Sequence, residues 1–187
     1  MLLTGDYVTL MLINMTAGFV LLACYVCWGL GETDQRRWAP GFLLTGFVAL
    51  AMGLHMTFTW PLPGKLGLYN VAFGETSVLL GVIFLAAAVA TWKEWPLLTV
   101  TIYAMIAGLA AMLIGVRIID QNLTARPIVS GIGFLLSGLA GVMALPTLYL
   151  RHNKRFRVLA VLVLIVTALI WAYTGYHAYW AHLAKPT

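Results

Sequence analysis

Charge is what this sequence has least of. Only 9% of its 187 residues are Asp, Glu, Lys or Arg, where a soluble domain carries roughly a quarter. The chain is 62% hydrophobic with a mean hydropathy of +0.94. That combination excludes an ordinary soluble domain and makes the bilayer the solvent. The opening stretch "MLLTGDYVTL" lacks a basic region, and no small-residue cleavage site follows the first apolar run, so that run is expected to be a retained span rather than a removable leader. Cysteine is nearly absent. Cys24 and Cys27 form a C-x-x-C inside an apolar run, where a disulfide would strain the helix; they read as small packing residues rather than a redox or metal pair. No repeat, soluble domain or long polar tail interrupts the pattern. The excess of basic residues, a net charge of +5, signals membrane orientation and not nucleic-acid binding.

What remains is a series of long apolar runs. A helix needs roughly 20 apolar residues to cross the hydrocarbon. Spans are predicted at 7–30, 41–60, 72–92, 96–117, 127–150 and 158–180. They predict an all-α integral membrane bundle of six transmembrane helices, one domain over residues 1–187. The loops after the first, third and fifth spans carry Arg36, Arg37, Lys93, Arg151, Lys154, Arg155 and Arg157, against Lys65, Arg117, Arg126 and Lys185 on the other side. Positive charge marks the cytoplasmic side, so both termini and the loop from Trp60 to Asn70 are expected outside. Small residues recur every fourth position at Gly133, Ser137 and Gly141 and at Ala107, Ala111 and Gly115. Such faces suit close helix packing within the chain and, secondarily, a homo-oligomer.

The few intramembrane ionisable residues share a depth. A rise of about 1.5 Å per residue places His55 in the outer leaflet and Glu75 near its edge. His177, Asp120 and Asp6 fall at the same end, each from a different span. Such residues are costly in hydrocarbon and are functional candidates by default. A bundle closing around them would join carboxylates and imidazoles in a metal site: His55, Glu75, His177 and a carboxylate from Asp120 or Asp6. Mixed His and carboxylate ligands suit zinc, iron, manganese or copper, and oxygen-rich subsets suit calcium. Asn70, Gln121 and Asn122 are then candidates for outer contacts. No H-E-x-x-H or E-x-x-H run is present, so the signal is positional.

Plainer readings compete at each position. His55 would bond a backbone carbonyl, Glu75 would pair with Arg117, and Asp6 and Asp120 would sit at wet helix ends. His177 would belong to an aromatic belt with Trp171, Tyr173, Tyr176, Tyr179 and Trp180. Two other functions also remain open: a transporter or channel for a small solute, cation or proton, and a structural subunit of a membrane complex. The inner halves of the spans offer few polar residues to continue a path. Whether the protein is an enzyme is left open.

One stretch carries a resemblance. "WPLPG" (Trp60 to Gly64), "YN" (Tyr69, Asn70) and "FGE" (Phe73 to Glu75) resemble a family of small bacterial and archaeal membrane proteins known as a domain of unknown function. The resemblance implies a multi-span fold over nearly the whole chain and no established activity. From the residues alone, Pro61, Pro63 and Gly64 stiffen a hairpin, Trp60 anchors at the interface, and Asn70 is expected to cap the third helix.

Overall fold

A computed structural model describes residues 7–64 and 67–183, and the side chain of every one of these but Tyr7. Six helices are long and apolar enough to cross a membrane: α1 (Val8–Gly29), α2 (Arg36–Thr59), α3 (Gly67–Lys93), α4 (Leu98–Asp120), α5 (Pro127–Tyr149) and α6 (Lys154–His182). No strand occurs among the described residues. The predicted spans are all present. Their edges differ by a few residues, because interfacial polar residues extend the helices past the apolar runs: α3 begins at Gly67, and α6 runs from Lys154 to His182.

Local chemistry sets the helix ends. Pro40 stands in the first α-helical turn of α2, which begins at Ala39 after a 3-10 turn at Arg36–Trp38, and Pro127 begins α5; a missing N–H costs little there. The Asn153 side chain caps α6, accepting from the Phe156 N–H at 3.2 Å. Trp60 and Glu94 end α2 and α3 in the left-handed conformation, with φ of +47° and +58°. Two helices contain π-turns, Tyr25–Gly29 in α1 and Asn70–Glu75 in α3.

Each helix packs against its neighbours in sequence, and α6 returns to α1, so the six form a closed ring. Packing is densest along α4–α5, α2–α3 and α1–α6, and thinnest at α3–α4. Small residues make the dense seams. A Cβ on Gly108 would lie 2.5 Å from the Gly138 carbonyl oxygen, and one on Gly81 would lie 2.5 Å from the Leu50 backbone nitrogen. These are backbone-to-backbone approaches that no larger residue permits. Gly115 and Gly141 belong to the α4–α5 seam as well, whereas Gly133 faces Trp171 of α6. The periodic small residues therefore serve two different intramolecular contacts. The outer surface is apolar: Phe47 and Leu113 are each 66% exposed, as side chains facing lipid must be.

Even span number puts the first residues of α1 and the last of α6 at one end, called here the terminal end. The opposite end, carrying the loops around residues 30–35, 94–97 and 150–153, is the basic end.

Candidate functional site

At the terminal end, the interior that the sequence suggested would hold ionisable groups is filled with aromatic rings. Tyr69 stacks on Phe73 at 5.6 Å, and Phe73 meets Phe134 and Trp171 edge-on at 5.2 and 6.3 Å. Trp171, expected in the interfacial belt, is fully buried; it lies against Gly133, and its indole N–H donates to Ser137 Oγ at 2.9 Å. Tyr173, Tyr176, Tyr179 and Trp180 are exposed, as a belt requires. Met11, Met56 and Ile118 complete this layer, each no more than 1% exposed.

The predicted ligands stand around this plug rather than within it. Asp120 is exposed and accepts from Arg117 at 2.9 Å and from Gln121 at 2.6 Å. So Arg117 pairs with Asp120, not with Glu75. His177 is exposed as well, with its Nε2 2.9 Å from Arg126 Nη2. Arg126 also donates to the Tyr173 hydroxyl at 2.8 Å, and Tyr173 stacks on His177 at 6.0 Å. Glu75 is exposed and His55 half-buried. At the α2–α3 contact it is Gly74, next to Glu75, that meets Met56 and Thr57. Asp6 lies outside the described residues. No group of three or more His, Cys, Asp or Glu side chains placed to hold a metal ion occurs among the described residues. Depth along a helix was legible in the sequence; the direction in which each side chain leaves it was not.

Asn70 also differs from expectation. Its helix starts three residues earlier, so it caps nothing. It is instead fully buried and bonded to the backbone of Leu62. Tyr69 accepts from the Ala125 N–H at 3.2 Å, tying this hairpin to the α4–α5 loop. The W-P-L-P-G, Y-N and F-G-E residues thus build the plug: a helix cap, a clamp, a ring stack and a close helix contact.

Below the plug lies a feature the sequence did not disclose. A cavity of about 190 Å³, partly open to the outside, is lined by residues of all six helices, most of them on α3, α4 and α5. Its lining runs from Phe134 to Leu148 along α5 and from Met15 to Val26 along α1, roughly 20 Å and 16 Å at 1.5 Å per residue. The wall is overwhelmingly apolar. Three of its hydroxyls are spent on their own helices, Thr76 donating to Ala72, Ser137 to Gly133 and Thr147 to Met143, which leaves them no need of water.

The cavity reaches the basic end. Leu30, Leu97 and Leu148 line it and also line a shallow polar depression with Gln35, Glu94, Arg151 and His152. The π-turn of α1 lies at this mouth. It buries Tyr25 in the cavity wall, where its ring meets Phe42 edge-on at 5.3 Å and its hydroxyl donates to Gln35 Oε1. Such turns are frequent at functional sites. Arg157 fastens the same turn from α6, donating to the Cys27 carbonyl at 3.0 Å. Cys24 and Cys27 are free thiols, both half-buried.

Six apolar helices of membrane-spanning length, packed in a ring and sharing an apolar cavity, define a helical protein of the membrane type. The chain belongs to the family described as "Protein of unknown function (DUF981)", whose model matches residues 1–185. No curated protein and no solved structure matches it.

Proposed function

We propose that the protein binds a hydrocarbon chain within the membrane, held in the cavity among its helices. The cavity carries this reading. At about 190 Å³ it exceeds the roughly 150 Å³ of an apolar protein cavity that accepts benzene. Its length favours an extended chain over a compact solute. Its overwhelmingly apolar wall offers dispersion contacts along its length. The aromatic plug stands between the cavity and the terminal end, which supports binding over conduction. The basic end, by its excess of Arg and Lys, faces the cytoplasm in this reading.

Filling the cavity tests the proposal. Ala140 lines it, whereas Leu113 is 66% exposed on the outer surface. Chain-bearing molecules released from the purified protein are expected to fall several-fold in Ala140→Phe and to stay unchanged in Leu113→Phe. Equal amounts in both variants would mean that the chains are surface lipid, and the proposal would be lost.

A further inference from the structure

Resting on that reading, we infer that the occupant is a single-chain lipid with an anionic head, whose head is held by Arg151 at the basic mouth. Three observations meet there. The apolar cavity and the polar depression share Leu30, Leu97 and Leu148, so one molecule can lie in both, its tail in the cavity and its head among polar groups. The charge at the mouth is unbalanced. Glu94 is neutralised by Arg36 at 3.2 Å, and the other ion pairs among the described residues are Arg37–Glu32 and Arg117–Asp120. Arg151 has no carboxylate in this set; its Nε donates to His152 Nε2 at 3.2 Å. The remaining guanidinium N–H groups suit a carboxylate or phosphate, which they can engage by two parallel bonds.

The third observation concerns position. The stem of Arg151 lies beside Gly31, where a Cβ would stand 3.9 Å from its Cδ. Gly31 has a φ of +96°, a conformation open to glycine and little else. The tight α1–α2 turn therefore sits against Arg151 at the cavity mouth. Gln35, which accepts from the Tyr25 hydroxyl, lines the depression together with Arg151 and adds a polar group to the mouth. One chain fits better than two. The lining extends roughly 20 Å along α5, and a volume of about 190 Å³ spread over that length suits the cross-section of one chain.

Binding of oleate, oleyl alcohol and acetate to the purified full-length protein, measured by native mass spectrometry, tests the head and the tail separately. Oleate is expected to bind at least tenfold more tightly than oleyl alcohol, and acetate not at all. Arg151→Gln should abolish the preference while leaving oleyl alcohol binding intact, which also shows that the variant is folded. Arg151→Lys should retain part of the preference. Equal affinities for oleate and oleyl alcohol in the wild type would overturn the assignment of the head and leave the cavity reading standing. An undiminished oleate preference in Arg151→Gln would do the same. If neither long-chain probe binds, both readings fall. Binding of acetate as tight as that of oleate would make Arg151 a free-anion site and overturn the lipid assignment.

Discussion

The carboxamide of Asn70 grips Leu62 by both of its backbone polar groups. Nδ2 donates to the Leu62 carbonyl at 2.9 Å, and Oδ1 accepts from the Leu62 N–H at 3.3 Å. Leu62 sits between Pro61 and Pro63, so its N–H is the only one in that Pro-Leu-Pro stretch. The clamp fixes the α2–α3 hairpin over the aromatic plug. Asparagine suits the task because one planar group supplies both a donor and an acceptor.

Truncating this side chain should loosen the terminal end. Asn70→Ala leaves the two Leu62 groups without their partner, a loss of about 1–3 kcal/mol. A thermal midpoint lower by several degrees is expected in detergent-solubilised protein. Asn70→Asp keeps the acceptor, removes the donor and adds a buried charge, so its loss should be at least as large. A midpoint unchanged in both variants would show that the clamp does not hold the hairpin.

The placement of the ionisable residues makes a prediction about metals. Asp120 is engaged by Arg117 and Gln121, and His177 Nε2 by Arg126. A metal would have to displace a guanidinium from each. Elemental analysis of purified protein is therefore expected to show zinc, iron, copper and manganese at background. His177→Ala should cost less than about 1 kcal/mol, as exposed polar pairs do. Stoichiometric metal in the wild type, lost in His55→Ala and Glu75→Gln, would restore the metal site read from the sequence.

Orientation can be tested at two exposed positions. Gln121 follows α4 at the terminal end, and Lys154 begins α6 at the basic end. With Cys24 and Cys27 replaced by alanine, an impermeant thiol reagent on intact cells should label Gln121→Cys and spare Lys154→Cys. The reverse pattern would invert the protein and place the Arg151 mouth outside the cell.

The sequence by itself determined that there are six membrane-length helices, where they break, and how basic charge divides between the two ends. These properties follow from hydropathy, proline placement and span parity, which depend on local composition alone. It also determined that His55, Glu75, Asp120 and His177 lie toward one end, since helical rise converts residue number into depth. Only the tertiary structure decided which way each side chain points. Every span is apolar on all sides, so hydropathy carries no strong stripe to mark the interior, and azimuth must come from packing. Close glycine contacts such as Gly108 on Gly138 and Gly81 on Leu50 set that rotation. The π-turns at Tyr25–Gly29 and Asn70–Glu75 alter it again within single helices. Packing turned Phe73, Phe134 and Trp171 inward and left Glu75, Asp120 and His177 exposed. It also left an apolar cavity, because α3 and α4 meet only thinly while small side chains such as Ala107, Ala140 and Ala144 do not fill the space between helices.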